Sequence, residues 1–147
     1  LPGIESVFAD AGYRLFHEDT LGELELGVYL GQSAPESLGR RMATGWGGDR
    51  LYAFGGRDAD APAAIVWITS WDVDDAAAEA EHAAQRIDAS LSPAARGRSL
   101  VLHDERFVLI ARELPPSLHA GVRTLFERAV PHRPRAPSGV APDSSLR

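Results

Sequence analysis

The chain contains no cysteine and no lysine, and its longest apolar run, Ala63 to Ile68, is short. Without cysteine there are no disulfides, thiolate metal sites or thiol nucleophiles, and the redox compartment stays open. All fifteen basic residues are arginine. Together with abundant Ala, Gly and Asp, this reads as codon bias in the genome and not as a phosphate-binding surface. The formal net charge of −6 removes the basic footprint that nucleic acid requires, so no nucleic-acid partner is expected. No apolar run is long enough to span a bilayer. There is no signal peptide and the chain begins at Leu1, so membrane association is expected only through a segment upstream of it.

What is present suits one globular domain. The 147 residues carry 44% hydrophobic and 24% charged side chains. Ile4, Val7, Phe8 and Ala11 fall at helical spacing. In residues 20–31, Thr20 and Glu23 form the pattern of a capping box, yet Leu24, Leu26, Val28 and Leu30 alternate like a strand. We read this stretch as helix, with strand as the alternative. Ser33 and Glu36 form a second capping-box pattern with Pro35 in the first turn, and Gly45 stands where a left-handed helix stop would fall. Strands are expected over Arg50–Phe54 and Ala63–Trp71. A helix begins near Asp72, capped by it, with Asp74 and Asp75 at its positive dipole end. Two further strands are joined at Asp104–Glu105, and a last helix carries Leu118, Val122, Leu125, Phe126 and Ala129.

The expected fold is α+β, an antiparallel sheet packed against helices in the order helices, then β-β-α-β-β-α, over residues 1–130. Residues 131–147 hold four prolines and almost no large apolar side chain, the composition of a tail that does not fold alone.

Gly45 to Arg50, GWGGDR, is the most conspicuous stretch. As a dinucleotide fingerprint it lacks the third glycine and stands before a strand instead of after one. It has neither the spacing nor the lysine of a P-loop. Structurally, Trp46 would enter the core, the following glycines would turn the chain, and Asp49 and Arg50 would anchor a strand start. Because neighbouring strand residues point to opposite faces, Asp49 and Arg50 should each reach a different partner. Backbone N–H groups of the turn or another Arg suit Asp49, and helix carbonyls or Glu23 suit Arg50.

Ser33 in GQSAP resembles a nucleophile elbow, but Pro35 replaces the second glycine, and a cap explains it better. Glu79 and His82 form a single half of a di-iron motif and read as a solvated helix face. Asp72, Asp74 and Asp75 are explained by the helix dipole. His103 is expected to be structural. Trp67 and Trp71 share a strand face and either fill the core or floor an apolar pocket. No catalytic residue, cofactor or metal is expected.

The segments Leu21–Gly22–Glu23, Gly45–Arg50, Trp67-x-Thr69-x-Trp71–Asp72 and Asp75–Ala76 together resemble a family of uncharacterised exported bacterial and haloarchaeal lipoproteins or surface proteins. That family's pattern runs LGE, GWGGDR, W-x-T-x-W-D, then D-A-x-E-F, whose final aromatic is Ala80 here. The resemblance covers about residues 20–130 and implies an extracytoplasmic setting and no established catalytic residues.

The expected function is therefore a non-catalytic extracytoplasmic binding or accessory module. Its partner is expected to be another protein, held through the tail with Arg133 and Arg135. The alternative is a small-ligand or lipid-binding domain around Trp67 and Trp71. Acid–base chemistry on His103, Asp49 and Asp72 ranks third.

Overall fold

Strand Ala64–Trp71 buries side chains on both of its faces, so it must lie inside a sheet covered on two sides. That is what the computed structural model of the protein contains. It describes residues 1–33, 36–58 and 61–130, without the side chains of 36–38. The elements are α1 (Ile4–Asp10), β1 (Arg14–Asp19), α2 (Glu23–Gly31), α3 (Glu36–Ala43), β2 (Trp46–Gly55), β3 (Ala64–Trp71), α4 (Asp74–Ser90), α5 (Pro93–Arg96), β4 (Leu100–Asp104) and β5 (Phe107–Arg112). A short 3₁₀ turn, Pro116–Leu118, leads into α6 (His119–Ala129).

The fold is α+β. Five strands in the order β1-β2-β3-β5-β4 form a sheet in which every neighbouring pair is antiparallel. Because side chains alternate across a strand, β3 feeds two separate cores. Ala64 and Val66 join Phe54 and Leu109 beneath α1 and α6, whose Phe8, Val122 and Phe126 close that side. Phe8 stacks on Phe54 at 3.8 Å between ring centroids. On the other face Trp67 and Trp71 meet Leu26 and Leu30 of α2, Met42 of α3 and the alanine face of α4. Alanine at 77, 80, 83 and 84 lets α4 lie close to the sheet.

Segment 23–31 is helical. Its alternating apolar residues split: Leu26 and Leu30 are buried, while Leu24 and Val28 remain exposed. Helices α2 and α3 touch backbone to backbone. A Cβ on Gly39 would lie 2.5 Å from the Gly31 nitrogen and 2.6 Å from the Gly27 carbonyl oxygen.

Several expectations are corrected. Strand β1 precedes α2, so the chain does not open with helices alone; five of its six residues are exposed, and such an edge strand carries no apolar alternation. Strand β2 begins at Trp46, four residues before the expected start, so all of GWGGDR after Gly45 lies inside a strand. Gly45 is not left-handed. The motif glycine with positive φ is Gly48 (147°), at the irregularity where β2 shifts register against β3. A Cβ at Gly45 would instead meet the Ala76 Cβ at 2.9 Å.

The Thr20–Glu23 capping box does not form, because the N-cap of α2 is Gly22. Nor does Asp72 cap α4, whose N-cap is Val73 without a side-chain bond. The Ser33 hydroxyl donates to the Leu30 carbonyl at the end of α2 (3.0 Å), whereas Pro35 lies outside the described residues. The β4–β5 turn is Glu105–Arg106, one residue later than expected. The expected tail, with Arg133 and Arg135, also lies outside the described residues.

Candidate functional site

The sequence segments singled out above converge at one end of the sheet. Trp46 pairs with Trp71, Gly48 with Ser70, and Asp49 with Thr69 across β2 and β3. The Asp49 carboxylate then reaches back to the start of α2. Its Oδ1 accepts the Leu21 amide and its Oδ2 the Gly22 amide, both at 2.8 Å, and Oδ2 also accepts the Trp46 indole N–H at 3.0 Å. A full negative charge thus sits at the N-terminus of α2, where the helix dipole favours it. Thr20 adds a bond from its hydroxyl to the Asp49 carbonyl.

On the α4 side the Asp72 amide donates to the Gly45 carbonyl at 2.9 Å, and Ala76 packs where Gly45 has no side chain. Four segments are therefore tied at one joint: the lead into α2, the start of β2, the end of β3 and the start of α4. Asp49 finds backbone N–H donors, although they belong to the lead into α2 and not to its own turn. Arg50 does not reach Glu23. It faces Glu18 on the neighbouring edge strand at 3.5 Å, with both side chains about half exposed.

Trp67 (6% exposed) and Trp71 (2%) are core residues. The Trp71 indole N–H donates to the Thr69 hydroxyl (2.9 Å), which donates to the Val108 carbonyl (3.2 Å). Trp67 has no acceptor for its indole N–H. Its ring stands edge-on to Tyr29, with centroids 5.6 Å apart. Glu79 and His82 are exposed on α4. Asp72, Val73, Asp74, Asp75 and Arg106 line an open surface cavity of about 450 Å³. A shallower one, about 200 Å³, opens on the opposite sheet face beside Gly48, Arg50, Ile68 and Phe107.

A second polar cluster was invisible in the sequence because its members are up to 83 residues apart. Arg112, at the end of β5, donates to the hydroxyls of Tyr29 and Ser99 and pairs with Asp88 at 2.7 Å. The single Ser99 hydroxyl proton has two acceptors in reach, the Asp88 carboxylate at 3.0 Å and the Ala111 carbonyl at 3.2 Å. Burial pushes the Tyr29 hydroxyl up to about 12, outweighing the nearby Arg112 charge, so the hydroxyl stays neutral. The cluster ties α2, α4, the lead into β4 and β5 together. An arginine donating into Ser99 Oγ opposes nucleophilic activation, which needs a base at that position.

The sequence profile of a domain of unknown function, DUF8575, matches residues 13–113. The chain belongs to this family. No curated protein and no solved structure matches it. The DUF8575 match runs from the start of β1 to just past the end of β5. It takes in the whole sheet and the helices on the Trp67 face, and leaves out α1 and α6. Among the described residues, no group of three or more His, Asp or Glu side chains could hold a metal ion.

Proposed function

We propose that this DUF8575 domain is a non-catalytic binding module that docks a partner protein on the outer face of α2. The observation that carries this is the pair Leu24 and Val28, one helical turn apart and 64% and 61% exposed. A helix face normally buries such a pair, and an exposed apolar pair on a rigid helix is the kind of anchor that protein partners use. The rigidity has named causes. Asp49 holds the start of α2, and Gly39 seats its Gly27–Gly31 face directly on α3. In this reading the conspicuous motif is the mount and the plain helix beside it is the working surface.

Charge supplies the partner's chemistry. Glu23 and Glu25 flank Leu24 in a chain of net charge −6, so the partner presents apolar side chains with basic ones beside the Leu24 end. The proposed extracytoplasmic setting rests on the likeness of the motif segments to exported proteins.

The test places a photo-crosslinking residue at position 24 or 28, and at exposed Arg128 as control, in the full chain in the cells that make it. The expected result is one protein crosslinked from 24 and 28 and not from 128. Binding of that purified protein should weaken at least about tenfold in Leu24→Glu, with an unchanged melting temperature. Equal labelling from all three positions, or full affinity in Leu24→Glu, overturns the reading.

A further inference from the structure

His103 is held on both ring nitrogens by groups that can only accept. Nδ1 lies 3.0 Å from Oε2 of Glu81 on α4, and Nε2 lies 2.7 Å from the carbonyl oxygen of Glu105 in the β4–β5 turn. A neutral imidazole has one N–H and one lone pair, so it can satisfy only one of these partners; the doubly protonated ring satisfies both. We propose that His103 is a proton-operated clasp that fastens the β4–β5 turn to α4 when the ring carries two protons and releases the turn when one is lost.

Geometry also says which contact opens. The Glu81 carboxylate is the stronger acceptor, and its other oxygen is already held by Gln85 at 2.9 Å. The single remaining proton therefore stays on Nδ1, and the bond to Glu105 is the one lost. Glu105 has φ 48°, a left-handed conformation uncommon for a non-glycine residue, and stands at the turn that this bond ties through His103 to α4. The charged groups around the ring are Glu81 from α4, Asp104 from β4, and Arg123 and Glu127 from α6, which line one cavity of about 280 Å³ with it.

Release of the turn reaches the motif joint. The Arg106 carbonyl accepts the Trp71 amide at 2.9 Å, and the Arg106 guanidinium donates to the Asp72 carbonyl at 3.3 Å. The turn that His103 fastens thus also lines, through Arg106, the cavity with Asp72, Asp74 and Asp75. The clasp is closed while the ring carries two protons and open when it carries one.

The experiment is an NMR titration of the full chain with ¹⁵N-labelled histidine, from about pH 5 to about pH 8, across the ordinary imidazole range. Exchange of the Arg106 and Phe107 amides is measured alongside. At the acidic end both His103 nitrogens should carry protons. At the alkaline end Nε2 alone should lose its proton, and the two amides should exchange about tenfold faster after correction for intrinsic rates. His103→Gln should remove that pH dependence. A neutral Nδ1, amide protection that does not change with pH, or the same pH dependence in His103→Gln overturns the clasp. If His103→Gln does not fold, the titration of the unaltered chain still decides.

Discussion

A carboxylate's effect depends on how many donors reach it. Asp49 receives three N–H groups while half-buried, whereas its neighbour Arg50 makes one long ion pair with both side chains about half exposed. Asp49→Ala should therefore cost about 2–3 kcal/mol in chemical denaturation, because it strips the lead into α2 of its acceptor and leaves the Trp46 indole unpaired. Arg50→Ala should cost at most about 1 kcal/mol. Equal losses in the two variants would remove Asp49 from its place as the holder of α2. Both residues were legible in the sequence as members of a motif. Which one matters was not, because that depends on donors 27 and 28 residues away.

At the scale of elements, the contact between α2 and α3 is set by three glycines. Replacing Gly39 by alanine puts a methyl group 2.5–2.6 Å from backbone atoms of Gly27 and Gly31, and backbone cannot turn aside as a side chain can. The helices must separate, and we expect a loss of about 1–3 kcal/mol, with a fall in melting temperature. Gly97→Ala, whose added Cβ meets its nearest neighbours at 3.5 Å, serves as the control and should leave the melting temperature nearly unchanged. Helix α4 was readable from its acids and alanines. Strand β1 was not, because Arg14–Asp19 is mostly exposed and becomes a strand only by pairing with β2.

Over the whole molecule, the family span ends where one of the two cores would be left open. A chain cut to residues 13–113 lacks α1 and α6, and so exposes Phe54, Val66 and Leu109 on the sheet. It should bind hydrophobic dyes and self-associate in sedimentation, while residues 1–130 stay monomeric and dye-free. A monomeric, cooperatively unfolding 13–113 fragment would show that α1 and α6 are dispensable.

The Tyr29–Arg112–Asp88–Ser99 cluster adds a pH prediction. Tyr29 loses its proton near 10 when unfolded and near 12 when folded. Between those values the unfolded chain binds fewer protons, so stability is full below pH 10 and falls as pH rises towards 12, by of order 2 kcal/mol. Tyr29→Phe should flatten that decline. An unchanged alkaline slope in the variant would show that Tyr29 is not its source.

Composition and periodicity by themselves determined the α+β class, the helices at 4–10, 74–90 and 119–129 and the central strand, because each of these rests on a local repeat or an end signal. They also excluded thiol chemistry, since that needs only the absence of cysteine. Tertiary structure alone decided that GWGGDR opens a strand, that Asp49 holds α2 and that Arg112 gathers Tyr29, Asp88 and Ser99. It alone decided that both ring nitrogens of His103 face acceptors. Each of those facts is a contact between residues far apart in the chain or a choice between two acceptors. Neither leaves a periodic trace, because a side chain's partner is set by where the backbone brings it and not by its neighbours in sequence.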